Sequence, residues 1–182
     1  MATQYATIEP QLREFIEQQQ MYFVATAAPT GRVNVSPKGL DTLRVLDEGT
    51  VIWLNGTGSG NETAAHVLAD PRMTVMFCSF AGKPWILRLY GTATMTQPGD
   101  EQWDELSSHF PPLLGARQVF TLKVDLVQTS CGFGVPLYDH VDQRDLMPKW
   151  ANARGPEGIE KYQQDKNAAS IDGFPTGLPA QG

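Results

Sequence analysis

The chain has 182 residues, a hydrophobic fraction of 41% and a formal net charge of −6, values that suit one globular unit with a real core. They argue against nucleic acid as a partner, because phosphate binding needs clustered Lys and Arg, and no such cluster is present. No apolar run approaches bilayer length, the polar start MATQYATIEPQLREF does not read as a signal peptide, and Cys78 and Cys131 make neither a disulfide framework nor a zinc motif, so a reduced, cytoplasmic setting with no membrane and no metal is expected.

Ile8, Leu12, Phe15 and Ile16 share one helical face, which predicts an amphipathic helix over Thr7–Gln20 with Thr7 as N-cap. Tyr22–Ala27 reads as a strand, Pro29-Thr30-Gly31 as a turn and Val33–Ser36 as the returning strand, which Pro37 and Gly39 should end or bend. Leu43–Leu46 and Thr50–Asn55 flank Asp47-Glu48-Gly49 as a second hairpin. A loop, Gly56-Thr57-Gly58-Ser59-Gly60, leads to a short helix over Asn61–Ala69. Met73–Phe80 and Trp85–Thr96 are strands, Asp100–His109 is a helix and Val119–Thr129 a further strand. Leu146–Ala153 and Pro156–Lys166 read as helical, and Ile171–Gly182 as a turn-rich tail.

Hairpin strands with helices inserted between them predict a mostly β, antiparallel barrel with peripheral helices rather than a doubly wound parallel sheet. Residues 1–182 are expected to form one domain, with 132–182 as a C-terminal extension.

The strand Trp53-Leu54-Asn55, the GTGSG loop and the helix start Asn61-Glu62-Thr63 form the strongest local feature. Glycines free backbone N–H groups to meet an anion, and the helix terminus adds partial positive charge, so Thr57, Gly60, Asn61 and Thr63 suit a phosphate cradle. A flexible strand-to-helix loop with a capping Asn fits the same residues equally well. No Lys follows Gly60, which excludes a P-loop, and Asn61 stands where a dinucleotide fingerprint needs its third Gly. Glu62 suits a phosphate neighbourhood only if it faces solvent.

Lys38 ends Val33-Asn34-Val35-Ser36-Pro37-Lys38-Gly39. It could point along a barrel mouth toward an anion, but a solvated surface Lys is the commoner outcome. Arg88 lies within the apolar strand Ile86–Gly91 on the face of Ile86 and Tyr90. A charge there needs an anionic ligand, a subunit interface or an ion pair. Cys131 is expected to be buried and inert, His66 to be a surface or packing residue, and the four tryptophans to serve the core or an interface.

Taken together, Phe23–Thr26 with Gly31–Gly39, Thr50–Asn55 followed by loop and helix, Asp70–Val75, and Leu87-Arg88-Leu89-Tyr90-Gly91-Thr92-Ala93 resemble the pyridoxamine-5′-phosphate-oxidase-like flavoproteins over roughly residues 8–130. The resemblance implies a split β-barrel homodimer that binds FMN at the subunit interface. It implies that Val35, Ser36, Pro37 and Lys38 border the isoalloxazine and that Trp53, Leu54 and Asn55 lie along it. Asn61, Glu62 and Thr63 would stand at the phosphate, and Arg88 would contribute from the neighbouring strand or the other subunit. Oxidases of this family carry Arg-Lys where this chain has Glu62-Thr63, and the region from Ser130 onward lacks their Trp and Arg pattern. The resemblance thus implies an FMN-dependent oxidoreductase acting on a small molecule, with a deazaflavin-dependent reductase or a non-catalytic, stress-related flavin-binding protein as alternatives.

Overall fold

The structure, a computed structural model, describes residues 2–180. The strands are β1 (Thr3–Tyr5), β2 (Tyr22–Thr26), β3 (Asn34–Lys38), β4 (Leu43–Asp47), β5 (Thr50–Gly56), β6 (Arg72–Cys78), β7 (Trp85–Thr96) and β8 (Ala116–Cys131). The helices are α1 (Pro10–Glu17), α2 (Glu62–Ala69), α3 (Trp103–Ser107) and α4 (Leu146–Lys166).

All strand pairings among the described residues are antiparallel, in the order β3-β2-β6-β7-β8-β5-β4, with β1 alongside β8. The outermost strands of that path, β3 and β4, are consecutive in the chain. Five Cα steps from Lys38 to Leu43 reach at most about 18 Å, whereas a flat sheet of these strands would hold its edges about 29 Å apart. The sheet must therefore curl, and the result is the expected split β-barrel. In the tie itself, Leu40 and Asp41 adopt left-handed backbone, with φ of 60° and 55°.

The barrel interior is apolar. Val24, Val75, Leu87, Leu89, Phe120, Leu122 and Val127 fill it, with Leu12 and Ile16 of α1 packed on the same core. Trp53 stacks on Phe120 at 4.6 Å between ring centroids. A smaller cluster of Ile52, Leu54, Phe110 and Val119 lies on the other face of β5 and β8. Gly91 marks the bend of β7, where the pairing with β8 shifts register. A Cβ there would come within 1.9 Å of the Lys123 carbonyl oxygen, so no side chain fits.

Several boundaries differ from expectation. Helix α1 starts at Pro10 rather than Thr7, because proline's fixed φ and missing N–H suit the first helical turn. Strand β3 runs through Pro37 to Lys38 instead of ending before it, and an edge strand tolerates the missing N–H. Strand β8 begins three residues before Val119, and β1 carries no strand signal in its polar sequence. The two expected C-terminal helical pieces are joined as α4, broken at Gly155 with φ 68° just before Pro156. The tail forms a turn held by a bridge between Ala169 and Pro175. No helix among the described residues is long and apolar enough to cross a membrane.

Candidate functional site

Strand alternation turns Asn34, Ser36 and Lys38 of β3 toward the barrel, while Val35 and Pro37 face outward and are exposed. Asn34 and Ser36 bond to each other, and Asn34 Nδ2 donates to Thr63 Oγ1 at 3.4 Å, which ties β3 to the first turn of α2. Lys38 Nζ donates to Asn55 Oδ1 at 3.2 Å and lies 5.0 Å from the centre of the Trp53 ring. Asn55 Nδ2 in turn donates to Gln118 Oε1 at 2.9 Å. The expectation of a solvated Lys38 is therefore corrected: it is half-buried and held by a buried amide. Burial, with the nearby charge of Arg117 as a smaller contribution, draws its pKa down to about 8.

Arg117 and Gln118 went unrecognised in the sequence because the strand was read from Val119. Asn55 pairs with Gln118 and Gly56 with Ala116, so Arg117 is an extra residue, a bulge with no partner on β5. It is 3% exposed, and burial draws its pKa down to about 10, opposed by the nearby Tyr162. Its Nε and Nη1, like Gln118 Nε2 and Trp53 Nε1, are buried without a hydrogen-bond partner. Among the described residues, no carboxylate pairs with Lys38, Arg88 or Arg117. Lys38 also lines a cavity of about 920 Å³ between α1, the β6–β7 loop and residues 138–147. Phe15, Phe80, Tyr138, His140 and Arg144 share that lining.

The glycine-rich loop is different. Thr57 Oγ1 donates to the Gly115 carbonyl and accepts from Gln163 Nε2 of α4. Asn61 Nδ2 donates to the Asn167 carbonyl rather than capping α2, and Asn167 Nδ2 donates to the Gly58 carbonyl. Glu62 is partly exposed and is occupied by the chain itself: its carboxylate accepts the Ile171 N–H at 3.1 Å. Gly60 is exposed beside Glu62, and Thr63 is buried under Asn34. Arg32 and Asp172 pair across the same seam. The C-terminal segment thus lies over the loop as a strap. Nothing in the sequence joins residues 57–62 to 163–172; folding does.

The remaining residues separate. Trp53 is wholly buried in the main core, and Leu54 belongs to the opposite cluster. Arg88 lies on the outward sheet face, where its Nη1 donates to Ser130 Oγ at 3.2 Å; the bland ion pair weighed for it is not present. Register aligns Pro37, Phe23, Met76, Arg88 and Gln128 in one row across that face, and Val35, Ala25, Thr74, Tyr90 and Leu126 in the next. None of these ten is buried. His66 is a packing residue, buried with Nδ1 against Thr26 Oγ1. Cys131, expected to be buried, is exposed because it closes β8 at the end of the sheet. Cys78 is the buried one, and burial raises its thiol pKa.

Comparison with known proteins agrees with this architecture. A candidate pyridoxamine 5′-phosphate oxidase of Lactobacillus delbrueckii superposes with a TM-score of 0.54 at 16% identity, over 68% of this chain and 94% of that one. HutZ, the heme storage protein of Vibrio cholerae, superposes with a TM-score of 0.50 at 19% identity, over 69% and 96%. At such identities the likeness is one of fold. In sequence, the pyridoxamine 5′-phosphate oxidase family protein ustO of Aspergillus flavus is 36% identical over 94% of this chain and 76% of its own length. The family model for pyridoxamine 5′-phosphate oxidase matches residues 8–131, from the turn before α1 to the last residue of β8, and the chain belongs to that family.

Proposed function

We propose that the protein is an FMN-dependent oxidoreductase of a small-molecule substrate, working as a homodimer with the cofactor between subunits. The observation that carries this reading is the Lys38 ammonium, brought to the barrel mouth, bonded to Asn55 and answered by no carboxylate. Donors without an acid suit an electron-rich planar ring that gains negative charge on reduction. Ser36, Lys38 and Asn55 would hold the ring edge, with Val35 and Pro37 on its flank, and Lys38 would favour the reduced anion. Trp53 and Leu54 would support from the core behind. The flavin, when bound, supplies the two-electron chemistry; the chain binds it, orients it and excludes water.

The uncovered face bearing Arg88 supports the dimer. It is apolar in the main and, among the described residues, its central cation Arg88 has no carboxylate partner. In this reading Thr57, Gly60 and Asn61 shape the loop that seats α2, and Thr63 braces Asn34. The second reading is a diffusible deazaflavin cosubstrate, favoured by Glu62, which faces the strap in place of the basic pair of the oxidases.

The test is the visible spectrum of the purified protein, with heat release of any chromophore. A flavin spectrum that survives gel filtration, with FMN released, is expected. A colourless protein that stays colourless after FMN is added removes the reading and promotes the deazaflavin. A heme spectrum would move the chain toward the storage role named for the Vibrio protein. FMN without turnover on NAD(P)H or oxygen would leave the non-catalytic, stress-related alternative.

A further inference from the structure

Three unanswered donors and one ammonium without a counter-charge gather at one end of the barrel. Arg117 presents Nε and Nη1, both buried and without partners, and Gln118 beside it presents Nε2 in the same condition. Lys38 Nζ completes the set, placed through Asn55, which bonds both Lys38 and Gln118. The bulge puts Arg117 outside the strand's alternation, at the start of the buried run 117–120. Bulges of this kind re-aim side chains beside functional sites. Two like charges close together under the surface, with no counter-charge, destabilise the fold unless something neutralises them.

We propose that Arg117, Gln118 and Lys38 form an oxyanion site that takes one phosphate group, carried either by the cofactor or by a separate ligand. A guanidinium presents two parallel donor edges, Nε–Nη2 and Nη1–Nη2, and with Nε and Nη1 of Arg117 both unpartnered either edge can meet two oxygens of an oxyanion, while a lysine adds a point charge. Two positive charges and an amide N–H suit a dianionic phosphate better than a carboxylate. Of the three, Lys38 also lines the large cavity. The site uses none of the glycine-rich loop's groups. It stands without the flavin reading; where the phosphate belongs to FMN, it deepens that reading by moving Lys38 from the ring edge to the phosphate and leaving Ser36 and Asn55 at the ring.

The experiment compares the wild-type chain with Arg117→Met and Gln118→Glu. Melting temperature is followed with and without inorganic phosphate, and affinities for FMN and riboflavin are measured. Phosphate is expected to raise the melting temperature of the wild type and to leave both variants unmoved. Without ligand, Arg117→Met should melt no lower than wild type, since it removes an unpaired buried charge, and Gln118→Glu should melt higher, since it supplies the missing carboxylate. If the phosphate is the cofactor's, Arg117→Met weakens FMN roughly ten- to a hundredfold and leaves riboflavin unchanged. If it is a separate anion, phosphate still stabilises the FMN-saturated wild type and not the FMN-saturated variant. A phosphate response through Arg117 in a protein that binds no flavin keeps this site and ends the flavin reading. Equal phosphate responses in all three proteins, or a wild type that neither responds to phosphate nor prefers FMN to riboflavin, overturns the assignment.

Discussion

The barrel mouth and the glycine-rich loop are both rich in donors, and the fold treats them oppositely. At the loop, Thr57, Asn61 and Glu62 spend their hydrogen bonds on Gly115, Asn167 and Ile171 of the same chain. At the mouth, Arg117, Gln118 and Lys38 hold N–H groups or charges that no carboxylate answers. A loop composed for anion binding can be consumed by its own tail, whereas an unremarked Arg at a bulge can stay unpaired. Composition tells which groups exist; long-range packing decides which remain free.

The harshest way to break this contrast is to end the chain after Lys166 and so remove the strap. Stability should fall by roughly 3–5 kcal/mol, about 1 for each hydrogen bond lost, seen as a drop in melting temperature on the order of 10 °C. FMN affinity measured by fluorescence quenching should stay within a few-fold of wild type. A large gain in affinity would show that the strap had been masking a phosphate cradle.

A milder cut is Asn167→Ala. It removes the fully buried side chain that donates to the Gly58 carbonyl, and urea unfolding should report a loss of about 1–3 kcal/mol. On the other side, Lys38→Met should leave ligand-free stability unchanged or higher while weakening flavin. The reduction potential of any flavin retained should fall, by about 30 mV for each 1.4 kcal/mol of lost interaction with the reduced form. An unchanged potential and affinity would end the role given to Lys38.

The smallest effect is with pH. Lys38 ionises near 8 in the folded chain against an ordinary 10.5, so between these values the unfolded chain holds more protons and stability rises with pH. Below about 8 the lysine is charged in both states and its full penalty is present. Its partial access to water reduces the gain to the order of 1 kcal/mol, and Arg117, down to about 10, begins to titrate at the top of the window. Denaturant titrations at pH 7.5 and 9.5 should show the rise in wild type and not in Lys38→Met.

Much of the barrel was legible because its signals are local. The hairpins around Gly31 and Gly49, the strand through Arg88 and the break between Ala153 and Pro156 each sit within a few residues of their cause. The site was less so. Pro37 looked like a terminator, yet at a sheet edge it lets the strand run on and carry Lys38 inward. Arg117 was missed because a bulge depends on what β5 offers opposite it. The fate of Asn61 is set by Asn167, 106 residues on, beyond the reach of any window of sequence.

The four-residue tie from Gly39 to Thr42 has a further consequence for how the molecule assembles. Because the barrel's two edges are neighbours along the chain, bringing them together closes a very short loop and costs little entropy. The dear contacts are elsewhere: Thr3 must find Thr129, and Thr50 must find Lys123. Folding speed should therefore be governed by the recruitment of β8, the strand that meets β1, β5 and β7, with the seam between the edges forming early. Substitutions in β8 that weaken the native state, such as Leu122→Ala, should slow refolding in stopped-flow, and because the tie is already formed at that barrier, a substitution there, such as Asp41→Gly, should likewise act on refolding rather than on unfolding.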